Sequence, residues 1–399
     1  MKILYVIERY GMFGVPNNGA SQRNTLFAKA LAQFGHVDVC SFSEDEIVSD
    51  IEDCDVVYSN PIQDESNRFA RYVRPFIRLF FSPATPPSYF KIIKKRKKVI
   101  DELVERNGYD LIACRYLQAA IRSGLLKYKD KLVVENDDNL SNSLKIVANN
   151  IESSLIKAKY LYMSKKAPIM LKKTLEEVFC SFYSSIIEPP SPNSVYLHNT
   201  VVSAARIPDI RPTTSNRILI VGWLEYPPNK NGAYHFVRNV FPMIKQRVPD
   251  AKLHIAGKGS KSMLDELNSM GEGIQALGFV EDLAAEYEGA KVVVIPIYQG
   301  SGTCVKFVEG MLMNRPIIST PVGARGLDRI AKDGEHFLLA KNDEDFVDKT
   351  VELLLNTEKS IDMANKAQEL AKSSFSQERF MEIVKETIEG KLRQHNSRI

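Results

Sequence analysis

Val292-Val293-Val294-Ile295-Pro296-Ile297-Tyr298-Gln299-Gly300-Ser301-Gly302-Thr303-Cys304-Val305-Lys306-Phe307-Val308-Glu309-Gly310-Met311 puts a β-branched run, a glycine-rich turn and a helical pattern in direct succession. The run over 292–296 reads as a buried parallel strand, being short, apolar and valine-rich. The glycines at 300 and 302 let backbone approach a ligand closely. The helix after them would offer unpaired N–H groups and the positive end of its dipole, which together suit an anion. Lys306 and Glu309 fall one turn apart near that end. Lys306 is placed to face a phosphate and Glu309 to accept two ribose hydroxyls. Taken alone, Gly-x-Gly at a strand end is also an ordinary tight turn, and Glu309 equally a capping or surface carboxylate.

Outward from this stretch, apolar β-branched runs alternate with longer helical patterns, the signature of a parallel α/β sheet. Upstream and downstream in the second half, Ile218–Gly222, Lys252–Ala256, Ile274–Leu277 and Ile317–Ser319 read as strands. In the first half the strands are Ile3–Ile7, Val37–Ser41, Val56–Ser59, Leu111–Ala113 and Leu132–Glu135, with a short one at Val195–Leu197. A helix is expected over Ala20–Phe34, stopped by Gly35, and a long helical stretch over Ser141–Cys180. Pro208, Pro212 and Thr213-Thr214-Ser215 give 201–216 a linker composition. Two doubly wound domains follow: residues 1–200, and 201–376, with a last helix over 377–399 assigned back to the first. Ligands of such sheets bind beyond the carboxyl ends of the strands.

The chain has 399 residues, 44% hydrophobic and 26% charged, the balance of a globular two-domain protein. No apolar run approaches the roughly 20 residues of a membrane span, and Met1–Arg9 reads as a first strand instead of a signal peptide. Five scattered cysteines form no Cys-x-x-Cys pair, which argues against a disulfide framework or zinc site and fits the cytoplasm. A net charge of +4 does not point to nucleic acid. The charge is uneven, however: Lys91, Lys94, Lys95, Arg96, Lys97 and Lys98 follow the aromatic, proline-rich segment Tyr72–Phe90. The stretch 72–98 is either a solvated helix face beside a loop or a patch for anionic headgroups or a charged acceptor.

Several segments together resemble the retaining GT-B glycosyltransferases of the glycogen-synthase-like clan (glycosyl transferases group 1, family 4). They are Gly222-Trp223-Leu224-Glu225-Tyr226-Pro227-Pro228-Asn229, Ala256-Gly257-Lys258-Gly259, Leu277-Gly278-Phe279-Val280-Glu281-Asp282-Leu283, 293–311, and Arg315 through Leu327. The resemblance covers nearly all of the second half. It is looser in the first, through Asn18-Gly19-Ala20-Ser21-Gln22-Arg23 and Asp110–Arg115. It implies two Rossmann-like domains facing across a cleft, the second binding a nucleotide-sugar, the first an acceptor. It also implies that Glu309 binds the ribose and that Lys306, with Lys230 nearby, meets the diphosphate. Trp223 stands where the family has an arginine, and Ser301 where it often has glutamate. Backbone amides of Gly300, Ser301, Gly302, Thr303 and Cys304, with Val305 at the helix start, would then read the sugar. Phe279 and Val280 would flank the base; Gly222, Gly257 and Lys258 lie on neighbouring loops, and Gly19 approaches the phosphates from the first domain.

On the acceptor side, strand ends point to Arg115 and to Asp137 and Asp138 after Leu132–Glu135. The acidic pair either orients an acceptor hydroxyl or caps the next helix. His198 reads as structural. Asp53-Cys54-Asp55 and Asp343-Glu344-Asp345 are the two Asp-x-Asp triplets, one preceding a strand and one starting a surface helix, so no metal or other cofactor is expected. The expectation is transfer of a hexose, with retention, from a UDP-sugar, or second a GDP-sugar, to a glycan or lipid-linked glycan. The rivals are a catalytically inactive nucleotide-binding scaffold and a nucleotide-sugar epimerase. A dinucleotide dehydrogenase lacks its Gly-x-Gly-x-x-Gly after the first strand.

Overall fold

A computed structural model describes residues 1–8, 19–44, 51–62, 91–136, 140–149, 153–184, 191–200, 215–300 and 304–397. The chain divides into two compact units, Met1–His198 with Phe380–Ile399, and Asn199–Arg379. The linker composition at 201–214, the aromatic segment 72–90, Asp137, Asp138, Ser301, Gly302 and Thr303 lie outside the described residues.

The first unit is built on seven strands: β1 (Lys2–Ile7), β2 (His36–Ser41), β3 (Cys54–Ser59), β4 (Leu111–Arg115), β5 (Leu132–Asn136), β6 (Cys180–Tyr183) and β7 (Ser194–Tyr196). They pair in the order β3-β2-β1-β4-β5-β6-β7, every pair parallel. Between them run α1 (Gly19–Ala32), α2 (Lys94–Asn107), α3 (Leu117–Arg122), a 3-10 turn at Leu125–Lys131, α4 (Leu140–Asn149) and α5 (Ser154–Glu177). Alternation within each strand decides which helix covers which face. Leu4, Val6, Ile112, Cys114, Leu132 and Val134 join Ile100 of α2, Leu117 of α3, Leu144 of α4 and Met163, Leu171 and Leu175 of α5 in one apolar cluster. On the other side Tyr5 meets Phe27 of α1 edge-on at 5.7 Å, and Phe27 meets Phe182 at 5.9 Å.

The second unit repeats the plan with β8 (Arg217–Val221), α6 (Pro227–His235), a π turn at Phe236–Val240, α7 (Phe241–Arg247), β9 (Lys252–Ala256), α8 (Lys261–Ser269), β10 (Ile274–Gly278), α9 (Leu283–Gly289), β11 (Val292–Ile295), α10 (Val305–Leu312), β12 (Ile317–Ser319), β13 (Leu338–Leu339), α11 (Asp343–Leu355) and α12 (Thr357–Phe375). Its parallel order is β10-β9-β8-β11-β12-β13. Ile218, Ile220, Val292 and Val294 face one core, while Leu219, Val293, Ile295 and Ile317 face the other. Strands buried on both faces carry continuous apolar runs, which is why they were readable in the sequence. The fold is thus α/β with two parallel, doubly wound sheets. The final helix, α13 (Gln377–Asn396), returns to the first unit, where Phe380, Val384 and Ile388 are fully buried.

One expectation needs correction, and one strand went unread. The helical reading of Ser141–Cys180 resolves into α4 and α5, and its last residue opens β6, a strand of only four residues with no turn signal before it. β13 is two residues long and carries no periodicity to detect. Asp343-Glu344-Asp345 forms the acidic first turn of α11, behind Asn342, whose side chain accepts from Asp345 N at 2.8 Å. Acidic side chains there favour the helix dipole.

Helix α6 comes so near the exit of β11 that a Cβ on Gly232 would stand 1.9 Å from the Pro296 carbonyl oxygen. Gly232→Ala is therefore expected to lower the stability of the second unit by about 1–3 kcal/mol in urea titration. An unchanged unfolding midpoint would show that α6 moves away freely.

Candidate functional site

In the second unit the chain leaves β8 toward one side of the sheet and β11 toward the other, because β8 and β11 are neighbours with their partners on opposite flanks. Such a reversal leaves a crevice at the carboxyl ends of the strands. The loops there are stitched to each other. Gly222 N donates to Ala256 O at 2.9 Å, Leu224 N to Lys258 O at 2.8 Å and Gly257 N to Gly278 O at 2.7 Å. Gly222 and Gly257 adopt φ of +154° and +152°, a region that side chains disfavour. A Cβ on Gly257 would lie 1.8 Å from the Gly222 carbonyl oxygen.

Helix α10 brings Lys306 and Glu309 to this point. Its Phe307, Val308, Met311 and Leu312 are buried, while Lys306 and Glu309, three residues apart, are half-buried on the remaining face. The Lys306 ammonium donates to Asn229 Oδ1 on α6, and Asn229 Nδ2 donates to the Trp223 carbonyl at 2.8 Å. A Cβ on Gly222 would stand 2.7 Å from Lys306 Nζ and 2.9 Å from Asn229 Nδ2, so glycine there leaves the room the ammonium occupies. Burial pushes the Lys306 pKa down, opposed by Cys304 and by Glu309. Burial pushes the Glu309 carboxyl up, opposed by the Tyr287 hydroxyl and by Lys306. The Cys304 thiol is raised by burial against the pull of Lys306.

The turn before α10 is braced from β12. Thr320 Oγ1 donates to the Ile297 carbonyl and accepts from Gly323 N at 3.1 Å, and Arg325 Nη1 donates to Gly300 O at 3.0 Å. Neither Thr320 nor Arg325 stood out as a site residue in the sequence, since both act across more than 20 residues. Asn229 was also missed; it meets Lys306 over 77 residues of chain. Among the remaining candidates, Gly257 touches Gly222, Lys258 is exposed, Phe279 is 69% exposed and Val280 packs partly on the core. Lys230 is exposed with its ammonium 6.0 Å over the Tyr234 ring. Gly19 opens α1 in the first unit.

In the first unit, Arg115, read from the sequence as an acceptor-side residue at the strand end facing the cleft, is 1% exposed. Its Nε pairs with the Glu135 carboxylate at 2.9 Å and its Nη1 donates to Asn24 Oδ1 at 2.8 Å. Glu135 also accepts from Arg23 Nε at 2.8 Å, and Arg23 donates to the carbonyls of Leu197 and His198. The strand end folds its arginine inward because a fully buried carboxylate requires cationic partners. His198 is 1% exposed with its ring edge-on to Phe380 at 5.9 Å, in keeping with a structural residue.

The basic stretch is corrected in the same way. Arg96 is 4% exposed, paired with Glu8 at 3.0 Å and donating to Ile62 O at 2.7 Å, whereas Lys91, Lys94, Lys95 and Lys98 are exposed. Among the described residues, no helix is long and apolar enough to cross a membrane.

Residues 215–356, which lie within the second unit, match the family model described as "Glycosyl transferases group 1". Over its whole length the chain is similar in fold to sucrose-phosphate synthase from Thermosynechococcus elongatus (16% identity, all of both chains, TM-score 0.64). HepE of Anabaena in complex with UDP-glucose is similar too (14% identity, 98% of this chain and 100% of that one, TM-score 0.62). Both are GT-B-type neighbours and bear on the fold. In sequence, the chain is 26% identical over 272 residues to an uncharacterized 44.6 kDa protein in the cps region of Klebsiella pneumoniae, covering 63% of this chain. The chain spans 66% of the length of that curated relative.

Glu135→Ala would leave two arginines buried without their shared carboxylate. Its expected cost is about 3–5 kcal/mol in the stability of the first unit. A loss under about 1 kcal/mol, read by chemical denaturation, would mean that the carbonyl partners alone satisfy Arg23 and Arg115.

Proposed function

We propose that the chain is a retaining, metal-independent glycosyltransferase that moves a hexose from a UDP-sugar to a glycan or lipid-linked glycan acceptor in cell-surface polysaccharide synthesis. The observation that carries this reading is the placing of Lys306 and Glu309, half-buried and three residues apart on α10, at the reversal point of the sheet whose residues match the glycosyl transferases group 1 model. Transfer from a nucleotide-sugar builds negative charge on the departing diphosphate. The N–H groups at the start of α10 and the Lys306 ammonium would stabilise that charge without reorganising. Glu309 would accept the two ribose hydroxyls. The base would lie along Phe279 and Val280 and touch chiefly their main chain, and the turn at Gly300–Cys304 would read the sugar.

The UDP preference is supported by HepE, whose solved complexes hold UDP and UDP-glucose; a GDP-sugar is the second choice. The polysaccharide context is supported by the Klebsiella relative in its cps region. The acceptor hydroxyl would fall to Asp137 and Asp138, which follow β5 in the chain, with Arg115 acting only through Glu135. Retention would proceed by attack on the same face with little help from a protein base. A cytoplasmic enzyme touching anionic headgroups through Lys91, Lys94, Lys95 and Lys98 accords with a lipid-linked acceptor.

Calorimetric titration with UDP, GDP and ADP in the presence of EDTA tests the reading. UDP is expected to bind in the micromolar range, and Glu309→Ala to weaken it roughly 10- to 150-fold, the worth of hydrogen bonds to a charged group. Unchanged UDP affinity in that variant would sink the ribose assignment. Product analysis by NMR after turnover of UDP-hexose should give the donor's anomeric configuration.

The pH dependence has a definite sign. The Glu309 carboxyl titrates above the usual value of about 4.3, so the carboxylate is lost early as pH falls. Uridine, which has no ionising phosphate, is expected to bind more weakly on mild acidification in the parent protein. It should show a flat profile in Glu309→Gln.

A further inference from the structure

The contact between Lys306 and Asn229 extends the donor-site reading and rests on it. We propose that Asn229 is a positioning residue that holds the Lys306 ammonium at the carboxyl end of β8 and leaves its positive charge undivided for a diphosphate. Its amide is used at both ends. Oδ1 accepts from Lys306 Nζ, and Nδ2 donates to the Trp223 carbonyl at 2.8 Å. The backbone under the amide is fixed as well, since Asn229 N donates to Tyr226 O at 3.0 Å in the first turn of α6. Gly222 completes the seat, because any Cβ there would stand 2.7 Å from the ammonium.

A lysine has three protons to give, and a neutral carbonyl oxygen takes one of them. The other two remain for phosphate oxygens. A carboxylate in the same place would pair with the ammonium and cancel the charge that an anion must find. The neighbouring positions contribute little charge of their own: Trp223 offers its carbonyl and Cys304 a thiol held neutral by burial. Among the described residues, the charged and titratable groups that act on Lys306 are Cys304 and Glu309, both on its own side of the helix. Asn229 is the contact from α6, and it fixes the direction of the side chain while those two tune its charge.

The test compares the parent protein with Asn229→Ala, Asn229→Asp, Lys306→Ala and the Asn229→Ala/Lys306→Ala pair. Each is titrated with UDP, uridine and inorganic pyrophosphate, and each fold is checked by thermal unfolding. Asn229→Ala is expected to weaken UDP and pyrophosphate about tenfold and leave uridine within about twofold. Asn229→Asp, almost the same shape, should weaken both at least as much and carry residual UDP binding to higher pH, because its carboxylate keeps the lysine protonated. The double variant should bind no more weakly than Lys306→Ala alone.

Equal losses for uridine and UDP would reduce Asn229 to a brace for the loop and overturn the proposal, as would losses that multiply in the double variant. If the parent binds pyrophosphate in an Asn229-dependent way but not UDP, the positioning role stands and the donor-base reading falls. If it binds neither, both fall.

Discussion

The closeness of the Gly222 carbonyl to Gly257 is the constraint on which the second unit's site depends. Three strand exits, after β8, β9 and β10, are tied by main-chain hydrogen bonds beyond the ends of their strands. They come so near that Gly257 has no space for a side chain, and Lys306 and Asn229 fill the space a side chain on Gly222 would need. This keeps the loops low over the sheet. An ammonium from α10 and an amide from α6 meet beside Gly222, just beyond the end of β8. Had the loops stood higher, Lys306 would have been an ordinary surface lysine.

The two units use charge in opposite ways at the carboxyl ends of equivalent sheets. In the first, Glu8 binds Arg96 and Arg122, and Glu135 binds Arg23 and Arg115. Removing such groups from water is costly, and mutual pairing recovers the cost only with good geometry. These charges consolidate the unit. In the second, the cation near the reversal point rests on a neutral amide, with a half-buried carboxylate one helical turn away. That arrangement keeps electrostatic attraction available for an external anion.

The comparisons illustrate how loosely such a fold constrains sequence. At 14–16% identity the solved neighbours share the architecture across almost the full chain. A doubly wound sheet asks only that alternate residues of each strand be apolar and that helices present one apolar stripe. Site chemistry is a separate matter, carried here by the residues at strand exits and by the first turn of α10.

Much of this was legible in the chain because double-faced burial writes itself as runs such as Val292–Ile295 and Ile218–Val221. The placing of Lys306 and Glu309 on one helix face was readable for a similar reason: three residues on a helix are about one turn. Short elements without flanking signals, β6 and β13, were not readable. Nor was the inward turn of Arg115 and Arg96, because local sequence does not say where a buried carboxylate will stand. By itself, then, the sequence determined the strands, the helical faces and the two-unit α/β plan, since these follow from periodic burial along a few residues. Only the tertiary structure decided which charges were consumed within the core and which was seated by Asn229 over a glycine. Those outcomes depend on distances between segments tens of residues apart.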